Sequence, residues 1–395
     1  KRTLFYIVLV IVTICILVGS LKGYPAAWSI WGIPTMTPHF ADVRNLTGGA
    51  ESISMGYDPL YFNPNDPWGR PMNQPRLVQH IVSFLNINQH DTTFIGTLFI
   101  ILFFVGVFLP LKEINNVTAL MLGIVIFSPA VVLGIERGNH DLFIFFLVAL
   151  ALFMSNAPMI SMIILLFASF VKLFPVFAIA YFFKFTKKTQ VIVFLTFITS
   201  FATYVFFNYS DLPQIFESTQ KGHDVLAYGA LAIRSSSIVS YIPLAAIVIS
   251  SLVFCVNAIN ASGFTPGDTR YIDNFRAGAG IYVGTFFLGN NWCYRLMFLI
   301  FTIPQLLSWR NDAGRRVVSL TTLICIIVSC WSLWSFSLPV NTDPPPASVL
   351  LKTIDETANW VLFASFLYLL VSTTPLFLQK GVLRAALSKI ALTHR

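Results

Sequence analysis

Long apolar runs recur along the entire chain, and they restrict its fold more than any other feature. Of the 395 residues, 56% are hydrophobic and 11% are charged, whereas soluble domains carry about 25% charged residues. The runs approach the ~20 residues that an α-helix needs to cross a bilayer. They consist of consecutive Leu, Ile, Phe and Val, not of the alternating strands of a transmembrane barrel. The sequence therefore predicts an all-α polytopic membrane protein without a sizeable soluble domain.

The basic residues are unevenly distributed between the turns that join these runs. The net charge is +8, and Lys and Arg concentrate in turns on one side, such as 310–316 and the segment after 378. Because positively charged loops stay in the cytoplasm, this pattern predicts that both termini are cytoplasmic, in a bacterial inner or plasma membrane. Topology thus explains the basic charge without a nucleic-acid partner.

The apolar runs divide the chain into about nine full transmembrane helices plus one broken half-helix pair, within a single domain, 1–395. A first span at 3–21 is followed by a first extracytoplasmic loop, 22–91, that is rich in Pro, Gly, Asn and aromatic residues. A loop of this length in a compact protein is usually functional. Apolar residues recur near helical spacing over 40–55, which predicts an amphipathic helix inside the loop.

The segment 159–188 allows two interpretations. A single helix would put the lysines at 184–188 outside, against the charge rule. Two half-helices, broken at Lys172-Leu173-Phe174-Pro175, would return those lysines to the cytoplasm, and proline interrupts helical hydrogen bonding. Broken helices at membrane depth occur where they line a cavity. We prefer the broken pair, which puts the lysine of the break near the outer face.

A polar island, 134–141, separates two strongly apolar runs and reads Gly-Ile-Glu-Arg-Gly-Asn-His-Asp. Ionisable groups at a membrane boundary are costly unless they meet partners, water or a charged ligand. The island is therefore a candidate functional site. Its candidate side chains are Glu136, Arg137, Asn139, His140 and Asp141.

On the predicted topology the island shares the outer side with Asp42, Lys172 and Arg295. Lys and Arg neutralise a phosphate, and a carboxylate accepts the proton of a hydroxyl group that attacks a sugar carbon. The cations would also stabilise the charge that develops on a phosphate leaving group. One base predicts inversion at the sugar carbon, whereas two closely set carboxylates would indicate a retaining enzyme.

Four short motifs resemble the GT-C superfamily of membrane glycosyltransferases, and most closely its family 87, which uses polyprenyl-phosphate mannose. The likeness covers roughly 30–190, and beyond that range it is confined to one late element. In that family Gln stands at the position of Asn139, Asn at that of Asp141 and Tyr at that of Phe174. The motifs are Phe40-Ala41-Asp42-Val43-Arg44 with Gly56-Tyr57-Asp58-Pro59, then Gly138-Asn139-His140-Asp141, Lys172-Leu173-Phe174-Pro175 and Asn291-Trp292-Cys293-Tyr294-Arg295-Leu296.

The resemblance implies transfer of mannose, or a similar hexose or pentose, from a polyprenyl phosphate to a glycan or glycolipid acceptor. It implies that Asp42 is the catalytic base and that Arg137, Lys172 and Arg295 hold the phosphate. It also implies that no cofactor is needed and that a metal is not obligatory. Glu136, His140 and Asp141 could bind a divalent ion, but their spacing is not specific for a metal. The five cysteines likewise show no metal spacing.

Simpler roles remain open for seven of these eight residues. Asp42 could cap the helix that follows it. Two pairs four positions apart could be structural, Arg137 with Asp141 and Glu136 with His140. Lys172 could extend to the interface, and Arg295 could anchor there beside aromatic residues.

Two other functions also remain open. Broken helices with a lysine at the break suit a transporter or flippase of an anionic lipid or solute, although the chain shows no internal repeat. A non-catalytic subunit of cell-envelope assembly is the third alternative.

Overall fold

The computed structural model describes residues 1–182, 188–219, 226–230, 269–288, 291–312, 314–337 and 346–373. Nearly all regular structure in these ranges is helical. The helices before the reversal at 172 are α1 Arg2–Lys22, α2 Tyr24–Ser29, α3 Ala41–Ser54, α4 Arg76–Phe84, the 3₁₀ turn Gln89–Asp91, α5 Thr92–Phe108, α6 Asn116–Ile126, α7 Pro129–Arg137, α8 Asp141–Phe153 and α9 Pro158–Val171.

The rest of the described chain adds further helices and one short ladder. Strand β1 pairs antiparallel with β2, with Ala227 opposite Trp292 and Tyr228 opposite Asn291. The elements are a 3₁₀ helix Phe174–Phe182, α10 Lys188–Phe207, a 3₁₀ turn Tyr209–Asp211, α11 Leu212–Ser218, β1 Ala227–Tyr228, α12 Ile272–Leu288, β2 Asn291–Trp292, a 3₁₀ helix Cys293–Phe301, α13 Ile303–Trp309, α14 Arg316–Trp331, a 3₁₀ helix Ser332–Ser337 and α15 Pro346–Ser372.

Several helices are long and apolar enough to cross a membrane. Within the described ranges four pass this test alone, and two bent pairs raise the number to six at most. The pairs are α6 with α7, bent by 54°, and Val191–Phe207 with Tyr209–Ser218, bent by 61°. The count of about nine full spans is therefore not confirmed. The sequence also predicts a span over 236–257, which lies outside the described residues. Helices α8 and α9 have only 13 and 14 residues.

The two ends of the helix bundle can be distinguished by contacts. Thr3 donates to the Asn116 side chain at 2.8 Å, and Tyr24 donates to the Glu136 carbonyl at 3.1 Å. Helix α1 and the α6–α7 pair therefore run in the same direction. We call the end with Tyr24 and Glu136 the site end, and the opposite end the far end. Helix α12 starts at the far end, where the Tyr271 hydroxyl donates to the Glu113 carbonyl at 2.7 Å.

The chain reverses direction at Lys172, and the break lies where the broken-pair interpretation places it. Helix α9 ends at Val171, and Lys172 is extended, with φ −150° and ψ 125°. The following 3₁₀ helix then runs back along α9, because the Tyr181 hydroxyl bonds to Ser161 near the start of α9. Residues 158–182 form a helical hairpin, and Lys172 is at its tip.

Glycines on α12 allow this hairpin to pack closely. A Cβ on Gly280 would lie 2.4 Å from the Phe177 carbonyl oxygen, and one on Gly284 would lie 2.1 Å from the Phe177 ring. On the same helix, a Cβ on Gly278 would lie 2.6 Å from the Phe298 carbonyl oxygen. Only glycine permits such contacts, so α12 accepts the backbones of two 3₁₀ helices directly against its own.

The first loop is well folded. The amphipathic helix predicted over 40–55 is α3, Ala41–Ser54, and its apolar face is buried against α4 and α5. The sequence also predicts an outer loop over 339–356, and this prediction is partly wrong, because α15 covers Pro346–Ser372. Proline is favoured in the first turn of a helix, where its missing N–H is not needed.

Candidate functional site

A cavity of about 810 Å³ opens at the site end. The first loop forms part of its wall, together with the ends of α7 and α9, the C-terminal half of α11, and β2. Six of the eight side chains that the sequence singles out line it, while Glu136 and Asp141 are fully buried behind the wall. The six are Asp42, Arg137, Asn139, His140, Lys172 and Arg295.

Asp42 lies in the first turn of α3 and is not a cap. The N-cap residue is Phe40, and no side chain caps the helix. Instead, the Asn139 amide donates to Oδ2 of Asp42 at 2.5 Å, and Arg70 approaches Oδ1 at 3.4 Å. The side chain remains 21% exposed at the cavity.

Arg70 is a site residue that the sequence analysis missed. Its guanidinium is held by Asp66, whose side chain is fully buried and accepts from Nη2 at 2.9 Å and from Nε at 3.0 Å. Nη2 also donates to the Ala41 carbonyl at 2.5 Å. Asp66 precedes Pro67, a sequence that predicts a turn, and it accepts from the Trp68 backbone N–H. The turn that begins at Asp66 therefore fixes the Arg70 guanidinium beside Asp42.

Asp141 unites the two cations that come from distant parts of the chain. Its Oδ1 accepts from Lys172 Nζ at 2.5 Å, and its Oδ2 accepts from Arg295 Nε at 3.4 Å. Arg295 also donates to the Asn291 side chain. One carboxylate thus faces two cations, and the trio keeps one positive charge. The alternative pairing of Asp141 with Arg137 is wrong.

The Arg295 guanidinium also lies against the Phe174 ring, 4.3 Å from its centroid. A guanidinium over an aromatic face is favourable and fixes the plane of the cation. Trp292 and Tyr294 stack nearby with ring centroids 5.9 Å apart. Arg295 therefore belongs to the cavity wall and is not a solvent-exposed interfacial anchor.

Glu136 and Arg137 hold the start of the first loop. Glu136 accepts from the Met36 backbone N–H at 3.1 Å and lies 3.3 Å from Arg137 Nε. Arg137 Nη2 donates to the Pro34 carbonyl at 2.9 Å. Glu136 is therefore structural, and its pairing with His140 is wrong. Arg137 still lines the cavity, and its buried Nη1 makes no hydrogen bond within the described ranges.

His140 lies between Lys172 and a first-loop amide. Its Nε2 is 2.9 Å from Lys172 Nζ and 3.4 Å from Gln74 Nε2. An ammonium group only donates, so Nε2 must accept and the imidazole is neutral. In the part of the chain that the structure describes, no three side chains of His, Cys, Asp or Glu are grouped as metal ligands.

A second ion-pair group ties the first loop to α11. Arg76 contacts Asp58 at 2.6 Å and Asp211 at 3.2 Å. Hydrogen bonding to Arg76 lowers the pKa of Asp58. Asp211 directly precedes α11, whose residues Ile215–Ser218 line the cavity. The sequence also predicts an outer loop over 209–234, and its residues His223 and Asp224 lie outside the described residues.

No protein-family model, no curated protein and no solved structure matches this chain.

Proposed function

We propose that the protein is a GT-C-type membrane glycosyltransferase that moves a sugar from a polyprenyl phosphate to an acceptor hydroxyl. The observation that carries this proposal is that Asp42 shares one cavity with Lys172, Arg295 and Arg137. A carboxylate and several cations around one space match a reaction in which a hydroxyl loses a proton while a phosphate leaves.

In the proposed reaction, Asp42 accepts the proton of the acceptor hydroxyl. The hydroxyl oxygen bonds to the anomeric carbon of the donor, and the bond from that carbon to the phosphate oxygen breaks. Lys172 and Arg295 stabilise the charge that collects on the departing polyprenyl phosphate, because the excess positive charge of their trio with Asp141 is available to it. The sugar is thereby inverted at the anomeric carbon.

The side chains around Asp42 support a role as base. Asn139 and Arg70 each contact one carboxylate oxygen and fix its orientation. Asp141 is unsuited to act as a second nucleophilic carboxylate, because it is fully buried and both of its oxygens contact cations. This arrangement favours a single displacement over the double displacement of a retaining enzyme.

We further propose the GT-C arrangement of about nine full spans with the hairpin 158–182 as the half-helix pair, in one domain, 1–395. The site end would be extracytoplasmic and both termini cytoplasmic, in a bacterial inner or plasma membrane. The distribution of Lys and Arg supports this orientation. The partners would be the lipid-linked sugar, a glycan or glycolipid acceptor and membrane lipids.

The test is sugar transfer by the purified full-length chain in liposomes. Labelled polyprenyl-phosphate mannose and its other hexose and pentose counterparts serve as donors, with a glycolipid as acceptor. We expect a glycosylated product of inverted configuration, identified by NMR. If no donor gives product, the proposal fails.

A transporter or flippase is the second candidate, because the hairpin with Lys172 at its tip also suits a carrier. Movement of the labelled lipid across the bilayer without any glycosylated product would favour it. The same liposomes report both outcomes, since the label can be followed in product and in each leaflet.

A further inference from the structure

The wall that the first loop contributes to the cavity is rich in amides. Asn45, Asn73 and Gln74 line it together with Asp42, whereas Lys172 comes from the hairpin tip. Side-chain amides offer both donors and acceptors to a ligand. A wall of this kind suits a neutral ligand with many hydroxyl groups, next to cations that suit a phosphate.

Gln74 is the most buried of these amides. It is 2% exposed, lies at the cavity wall and is within 3.4 Å of His140 Nε2 through its own Nε2. Since that histidine nitrogen accepts from Lys172, Gln74 must present its N–H group there and not its oxygen. This assigns the orientation of the amide.

In this orientation the amide oxygen of Gln74, Oε1, has no hydrogen-bond donor next to it. Among the described residues no group donates a hydrogen bond to Oε1 of Gln74. His140 Nδ1, which carries the ring proton, also makes no hydrogen bond in this part of the chain. Buried polar groups are almost always hydrogen-bonded in folded proteins. An unpaired acceptor at a cavity wall therefore indicates that a ligand supplies the donor.

We infer that Gln74 is a specificity-determining residue that accepts a hydrogen bond from a hydroxyl group of the donor sugar. This inference rests on the proposed function. Gln74 and Lys172 contact the same nitrogen of His140, so a sugar whose phosphate lies at Lys172 has its ring beside Gln74. The acceptor substrate, by contrast, must approach through Asp42.

A site built to pair with a hydroxyl rejects the analogue that lacks it, because its own polar group then stays unpaired. The probes are polyprenyl phosphate, polyprenyl-phosphate mannose and the monodeoxy analogues of the latter. Glucose, galactose and arabinose donors form a second set. Binding is measured on the full-length chain in lipid nanodiscs, which requires no turnover.

We expect wild-type protein to bind a sugar-bearing donor more tightly than bare polyprenyl phosphate. Gln74→Leu should reduce this advantage by about tenfold, the usual effect of one lost hydrogen bond at a buried site. Its affinity for bare polyprenyl phosphate should not change. One monodeoxy analogue should bind equally to wild type and to Gln74→Leu, and it identifies the hydroxyl that Gln74 contacts.

Gln79→Leu is the matched control, because Gln79 is another buried first-loop glutamine that does not line the cavity. Gln79→Leu should bind a sugar-bearing donor more tightly than bare polyprenyl phosphate by the same factor as wild type. The inference is overturned if Gln74→Leu keeps the full advantage, if it weakens bare polyprenyl phosphate by the same factor, or if wild type shows no advantage with any donor.

The outcome separates this inference from the proposed function. If sugar is transferred but Gln74→Leu keeps its sugar advantage, the glycosyltransferase proposal stands and the role of Gln74 is wrong. If no donor yields product while Gln74→Leu loses the advantage, the sugar contact stands and the transfer reaction is wrong.

Discussion

The side-chain amide of Asn139 donates to Asp42 at 2.5 Å across 97 positions of the chain. The oxygen of the same amide accepts from the Asp141 backbone N–H at 2.8 Å. Asn139 therefore links the carboxylate of the first loop to the start of α8, where the cation trio begins. This link fixes the two halves of the cavity relative to each other.

Asp42→Asn should lower the transfer rate by about 100-fold or more, since a positioned base contributes at least this factor. The variant keeps the shape of the side chain and should still bind the donor. Turnover and donor affinity are measured in the same nanodiscs.

Glu51→Gln is the control for Asp42→Asn, because Glu51 is an acid on the same helix that does not line the cavity. It should retain wild-type turnover. Wild-type turnover in Asp42→Asn itself would show that the base is another group.

Arg295→Lys should raise the Kd for polyprenyl phosphate roughly tenfold or more, because lysine cannot reproduce the fork of hydrogen bonds or the contact with Phe174. Arg315→Lys is the matched control. Arg315 is a fully buried arginine that contacts a carboxylate, Asp312, and an aromatic ring, Trp309, outside the cavity. Equal weakening by both substitutions would mean that Arg295 acts only through stability.

Asp141→Asn should destabilise the protein by about 3–5 kcal/mol, because Lys172 and Arg295, whose side chains are only 17% and 15% exposed, lose their shared partner. Adding Lys172→Met should restore part of that loss, since one of the unpaired charges is then removed. The four proteins of this double-mutant cycle are compared by thermal unfolding in detergent. Strict additivity of the two losses would contradict the coupling.

Gly280→Ala should destabilise the protein by about 1–3 kcal/mol, the usual cost of overpacking, because its Cβ would meet the Phe177 carbonyl oxygen. Gly56→Ala on the first loop is a useful comparison. A Cβ on Gly56 would have no atom within 4 Å, and the residue has a φ of 84°. Any loss of stability in Gly56→Ala therefore reports only the backbone strain of alanine at that φ. Unfolding midpoints of both variants test whether close packing, and not backbone freedom, makes Gly280 necessary.

The Asp58–Arg76 contact should make stability depend on pH. Hydrogen bonding to Arg76 lowers the pKa of Asp58 in the folded state, so the folded protein holds this proton less tightly than the unfolded chain. The Asp58–Arg76 contact therefore adds its full share to the free energy of unfolding above the ordinary pKa of an aspartate. That share is lost as the pH falls through the lower pKa of Asp58 in the folded protein. Asp58 is 42% exposed, so the effect should be small.

Unfolding midpoints between pH 6 and pH 3 are compared for wild type and Asp58→Asn. The two curves should converge at the acid end. Parallel curves over the whole range would show that Asp58 does not contribute.

The sequence predicts the elements of this fold better than its pairings. The break at Lys172 could be predicted because Pro175 and the charge rule act locally. Arg70 could not be predicted as a neighbour of Asp42. No local sequence pattern indicates that Asp66 orients the Arg70 guanidinium towards Asp42. The partners of Asp141 could not be predicted either, because a spacing of four residues suggested Arg137, whereas the actual cations come from the hairpin tip and from the 3₁₀ helix after β2.

The hairpin tip has a consequence for inhibition. Lys172 is carried by a segment whose Phe177 packs its carbonyl oxygen on Gly280 and its ring on Gly284. A compound or a bulky residue wedged into this seam would lift the segment and carry the ammonium away from Asp141. The position of this ammonium group therefore depends on a seam whose glycines do not line the cavity, so a molecule bound there would displace Lys172 without occupying the cavity.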